Sequence, residues 1–266
     1  MESGRPGQLI ASVSARSDGA TSLVLGLAAV LGARHRTVLV DLNRENAEIA
    51  TFLNADESKT VYHLAYNAQL AAITEIELRE HIQWQDGLAV LPGITDPRQA
   101  GQITPLFMGN LIQVLRKEFE VVLVDVGRLR QSLPSALSAG SVLWVVAPRP
   151  LGLAAFERAY RAVEEVTHPT LNLQVVLNRV SPQSLADVAT FVRSEYGLPV
   201  LGEVPDCPNF WSRAELAHSV RGLSTPIVDR QRALRAYGEE AIPMRAALEG
   251  LVERITEPAV SAATAS

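Results

Sequence analysis

Short runs of Val, Leu and Ile recur along the chain, separated by stretches whose apolar residues return at helical spacing. Gln8–Val13 (QLIASV), Thr37–Leu42 (TVLVDL), Leu88–Leu91 (LAVL), Val121–Val126 (VVLVDV), Val142–Ala147 (VLWVVA), Leu173–Leu177 (LQVVL) and Val200–Val204 (VLGEV) read as β-strands. Runs of continuous rather than alternating apolar residues suit strands covered on both faces. Thr21–Leu31, Gly109–Glu118, Leu153–Val166 and Leu185–Tyr196 read as the helices between them. Strand and helix in repeated alternation predict an α/β fold, a doubly wound and mostly parallel sheet flanked by helices, with right-handed crossovers. No internal repeat and no linker rich in Pro, Gly or Ser divides the chain. Residues 1–255 are therefore expected to form a single domain, with 256–266 a disordered tail. Within Leu234–Ile255 the apolar residues Leu248, Leu251, Val252 and Ile255 share one side. That pattern fits a last helix packed on the sheet, or an amphipathic helix lying on a membrane; Glu249 and Glu253 on its polar face favour the first.

Composition narrows the function classes. The 266 residues are 47% hydrophobic and 20% charged, the balance of a globular chain. No apolar run reaches the roughly 18–20 residues that cross a bilayer, and the first residues lack the basic-then-apolar pattern of a secretory signal; a cytoplasmic protein is expected. Cys207 is the single cysteine, which excludes an intramolecular disulfide and fits a small residue packed beside a loop. The five histidines show no ligand spacing, so no metal chemistry other than that of Mg2+ is expected. A net charge of −5 argues against a chain-wide nucleic-acid footprint. The densest basic segment, with Arg213, Arg221, Arg230, Arg232 and Arg235, is interspersed with Glu215 and Asp229 and reads as a solvated face. Nearly all basic residues are arginine; Lys59 and Lys117 are the only lysines.

The chemistry follows the first strand. Ser14-Ala15-Arg16-Ser17-Asp18-Gly19-Ala20-Thr21-Ser22 joins that strand to a helix, the place where backbone N–H groups and a helix N-terminus cradle phosphate. Strand, loop and helix together resemble the ParA/MinD superfamily of deviant Walker A P-loop ATPases, whose loop has the form KGGxGKTT. In that register Ala20 stands where the phosphate-binding lysine belongs, and Ala15 where a second lysine reaches the partner's nucleotide across a dimer. Arg16 and Ser17 replace the two glycines. The resemblance extends over about Gln8 to Thr225. Val38–Asp41 is similar to the strand whose first acid organises Mg2+, matched by Asp41, and whose second acid orients water, matched by Asn43. Asp125, at the end of VVLVD, matches the Walker B acid. Asn178-Arg179 is similar to the step that contacts adenine, and Pro205-Asp206 to the loop that closes over the base. Within the superfamily, GATS, the stretch GLAVLPGITDPRQ at Gly87–Gln99 and the late LNRV and GLPVLGEVPDCP segments are most similar to the CpaE/TadZ pilus-assembly branch.

The resemblance implies ATP or ADP with Mg2+, held by Arg16, Ser17, Asp18, Gly19, Ala20, Thr21, Ser22, Asn178, Arg179, Pro205 and Asp206, with Thr21, Asp41 and Asp125 on the metal side. It also implies a homodimer through the P-loop face, a protein partner, and recruitment to the inner face of the membrane or a cell pole. A lysine at the transferred phosphate supplies electrostatic stabilisation worth a few kcal/mol, so Ala20, Ala15 and Asn43 predict a pseudo-ATPase. Three functions stay open on the sequence: a weakly or non-hydrolysing scaffold that positions a Tad/Flp-type pilus or secretion machine; an active partition or division-site ATPase with Arg16 in the lysine's role; and a regulatory interaction module without nucleotide.

Overall fold

A computed structural model of the chain describes residues 6–68, 73–85, 87–129, 140–164, 171–207 and 241–256. The expected tail beyond 256 and the arginine-rich segment 213–235 lie outside the described residues.

Eight strands form one sheet: β1 (Gln8–Ser14), β2 (Thr37–Asp41), β3 (Gln83–Gln85), β4 (Leu88–Leu91), β5 (Val121–Arg128), β6 (Ser141–Val146), β7 (Asn172–Val180) and β8 (Val200–Pro205). Their spatial order is β3-β4-β2-β5-β1-β6-β7-β8. Every neighbouring pair is parallel except β3 with β4. All seven expected strands are present. The central ones are buried on both faces, as their unbroken Val/Leu runs require. The edge strand β3 was not foreseen: its three residues, Gln-Trp-Gln, carry no apolar run.

The helices are α1 (Ala20–Gly32), α2 (Ile49–Leu53), α3 (Val61–Ala68), α4 (Glu75–His81), α5 (Pro105–Glu118), α6 (Pro150–Glu164), α7 (Val188–Tyr196) and α8 (Ala241–Thr256). α5 starts four residues before the expected Gly109, because Thr104 caps it through the Phe107 N–H and Pro105 fits its first turn. One core layer packs α3, α5, α6 and α7 against one sheet face; the other packs α1, α2 and α8 against the opposite face. α1 is buried nearly all round, and Gly26 lets α8 come close: a Cβ there would lie 2.7 Å from Leu248 Cδ1. Met244, Leu248, Leu251, Val252 and Ile255 of α8 are all buried in this layer. The apolar side of the last helix is therefore spent on the core, and the membrane-surface alternative is corrected. No helix among the described residues is long and apolar enough to cross a membrane.

Candidate functional site

Parallel strands deliver their C-terminal ends to one edge of the sheet, where ligands of such folds bind. At that edge β1 runs into the loop 15–19, and Gly19 turns it into α1 with φ 92°. Only glycine fits there, since a Cβ would lie 2.4 Å from Asn178 Nδ2. α1 begins without a side-chain cap and without an acid in its first turn. Its N-terminal N–H groups are thus open to an anion. The Ser14 hydroxyl bonds the Arg16 carbonyl, and Asn178 Nδ2 donates to the Asp18 carbonyl at 2.8 Å, which braces the loop from β7.

The three residues expected on the metal side, Thr21, Asp41 and Asp125, lie close together at this edge. Asp41 and Asp125 are paired across β2 and β5, and both are fully buried. The Thr21 hydroxyl donates to Asp125 Oδ2 at 2.6 Å, and the Gly127 N–H to Oδ1 at 2.8 Å. Asp41 accepts the N–H groups of Asn43 and Ile49 at 3.0 and 3.2 Å. Gly93 packs onto it, with room for no side chain: a Cβ would lie 2.8 Å from the Asp41 Cγ. Burial pushes the Asp125 carboxyl up to about 6. Burial and then the charge of Asp125 hold Asp41 well above the usual carboxylate range, against its two backbone hydrogen bonds. Two buried acids side by side, one bonded to a threonine hydroxyl, suit a hydrated divalent cation, which reverses that repulsion.

Other expected positions are also engaged within the fold. Asn43 spends its amide on its own turn: Oδ1 accepts the N–H groups of Glu45 and Asn46 at 3.1 Å each, and Nδ2 donates to the Asn46 carbonyl at 2.7 Å. Gly127, with φ 70°, lies so close that a Cβ would come within 2.3 Å of that amide. Asn43 is thus a structural residue here, with neither charge nor a free acceptor for water. Ala20 is buried in the apolar layer under α1. Asn178, expected at the base, is occupied by the phosphate loop; Arg179, in left-handed backbone with φ 59°, reaches toward Gly19. Asp206 pairs with Arg149 at 2.9 Å, and its N–H donates to the Val180 carbonyl.

A cleft of about 570 Å3 opens between the loop, the end of β5 and the start of α6. Arg16, Arg128, Arg149 and Arg179 line it, with Asp18 at its wall and Leu151 at its rim. Arg128 Nη2 donates to Ser17 Oγ at 2.7 Å. Burial raises the Asp18 carboxyl, while the Ala147 N–H and the guanidinium groups of Arg16, Arg179 and Arg128 act the other way. Arg128 and Arg149 were not singled out in the sequence: each is one arginine among many, just past a strand or at the start of a helix.

Among solved structures the chain is similar to a ParA family ATPase from Chlorobium tepidum, with a TM-score of 0.72, 14% identity, and 93% of this chain and 97% of the other covered. The septum site-determining protein MinD of Pyrococcus horikoshii, complexed with Mg-ADP, matches with a TM-score of 0.69 and 20% identity over 94% and 96%. A putative plasmid partition protein from Borrelia burgdorferi bound to AMPPNP matches with 0.65 and 13% over 94% and 100%. The chain has the ParA/MinD fold. At these identities the likeness establishes architecture and not activity. No family model matches the sequence, and no curated protein does.

Proposed function

We propose that this chain is a ParA/MinD-like positioning scaffold that binds Mg2+-nucleotide and hydrolyses it weakly or not at all. One observation carries the reading: Thr21 is hydrogen-bonded to Asp125, Asp41 lies beside Asp125 across β2 and β5, and both stand next to an uncapped helix N-terminus, while a buried Ala20 takes the lysine's place. The fold's solved members bound to Mg-ADP and AMPPNP support a nucleotide at this site. Loss of the lysine, of Ala15's counterpart and of the second acid removes charge stabilisation from phosphoryl transfer while sparing the backbone cradle. By the same reading the protein forms a homodimer through the P-loop face and engages a protein partner, as a MinC:MinD complex from Aquifex aeolicus exists. The CpaE/TadZ-like motifs support a partner in a Tad/Flp-type pilus or secretion machine, with recruitment to the inner membrane face or a pole.

Titration with a fluorescent ATP analogue, with and without Mg2+, tests the reading. Saturable, Mg2+-dependent binding with phosphate release near background is expected; absence of binding would leave a nucleotide-free interaction module. The position of Arg16 in the cleft keeps one further reading, an active partition-type ATPase using that side chain. Turnover in the wild type that disappears in Arg16→Ala would establish it.

A further inference from the structure

We infer that Arg128, delivered by the end of β5, is the cation that replaces the missing P-loop lysine and grips the oligophosphate of the bound nucleotide. The inference rests on the nucleotide reading above and names the residue that makes it workable. The cleft beside the loop holds four arginines. Among the described residues, the carboxylate of Asp18 and that of Asp206, which pairs with Arg149, stand against them. Among the described residues two guanidinium charges are left over, in a protein whose net charge is −5, and such a local excess focuses anions.

Among these arginines Arg128 is the one held in place over the loop. Its backbone belongs to β5 in register with Ser14, the residue from which the loop departs, and the next N–H, of Leu129, donates to the Ser14 carbonyl at 2.7 Å. Its guanidinium is fixed by Ser17 at 2.7 Å and keeps further N–H groups for a phosphate, which it can engage bidentately. Both Arg128 and Arg16 are exposed, but Arg16 sits on the loop itself and, unlike Arg128, its guanidinium has no hydrogen-bond or ion-pair partner among the described residues. Ordering it on binding costs more entropy than using a side chain already positioned. Asp18 lines the same cleft and is 7% exposed, and its buried Oδ2 has no hydrogen-bond partner.

The test measures binding of a fluorescent ATP analogue with Mg2+, and its competition by inorganic tripolyphosphate, to wild type, Arg128→Ala, Arg128→Gln and Arg16→Ala. Gln keeps a donor for Ser17 and removes the charge. Arg128→Ala and Arg128→Gln should each weaken both ligands about tenfold or more, the scale of a lost charge-assisted contact, and flatten the salt dependence. Melting temperatures without ligand should match wild type. Arg16→Ala should lose less than about threefold. Wild-type-like affinity in Arg128→Gln, or a larger loss in Arg16→Ala, would overturn the inference and leave nucleotide binding intact. Failure of the wild type to bind either ligand would overturn the nucleotide reading itself.

Discussion

Asp125 illustrates how much a single residue in this site is bent to one purpose. Its carboxyl is pushed to about 6 from an ordinary 3.8. Between those values the folded chain keeps a proton that the unfolded chain has released, so stability is greatest below the lower one and falls as pH rises to the upper. Asp125→Asn, which can still bond Thr21 and Gly127, should therefore be more stable than wild type at neutral pH by about 1–3 kcal/mol. It should also lose less stability between about pH 4 and pH 7; thermal melts across that range measure both. The same variant should abolish the Mg2+ dependence of nucleotide binding. Gly127→Ala shows the opposite economy, since it meets left-handed backbone and the Asn43 amide at once. A loss of about 2 kcal/mol or more is expected in urea unfolding. Thr21, Asp41 and Asp125 were legible in the sequence because each ends or follows a recognisable strand. Arg128 was not, since nothing local separates it from the other arginines until β5 is laid beside β1.

At the scale of elements, the strands were the most legible, because seven Val/Leu runs state their burial directly. The edge strand β3 and the short helices α2, α3 and α4 were not, although the Thr74–Glu77 capping box that starts α4 was present in the sequence. The last helix was legible as amphipathic but not in what covers it. That is a tertiary fact: α1 offers Gly26, and α8 fills the space with Leu248. Leu248→Ala should cost about 2–5 kcal/mol by leaving a cavity between the two helices. Because α1 begins at the phosphate loop, loosening this contact should also weaken nucleotide binding. Paired urea-unfolding and binding measurements would reveal stability lost without any change in affinity, the result against that coupling.

For the whole molecule, the decisive contrast is an acidic protein with an arginine-lined cleft on the face where a dimer is proposed. Two such faces repel until an anion fills them, so sedimentation should find dimers with Mg2+-ATP and monomers without it, the difference shrinking at high salt. Restoring the lysine with Ala20→Lys should tighten Mg2+-ATP by about tenfold if that position faces the phosphates; an unchanged dissociation constant would refute the alignment of the loop. What the sequence by itself determined is the alternation of buried strands and helices, the loop after β1, and the acids that end β2 and lie in β5, because each depends on residues near one another in the chain. Only the tertiary structure decided that Asn43 and Asn178 brace the scaffold and that Arg128, Arg149 and Arg179 meet Arg16 in one cleft. Those residues come from strand ends and a helix start far apart in the chain, and only the order of a parallel sheet brings them to one edge.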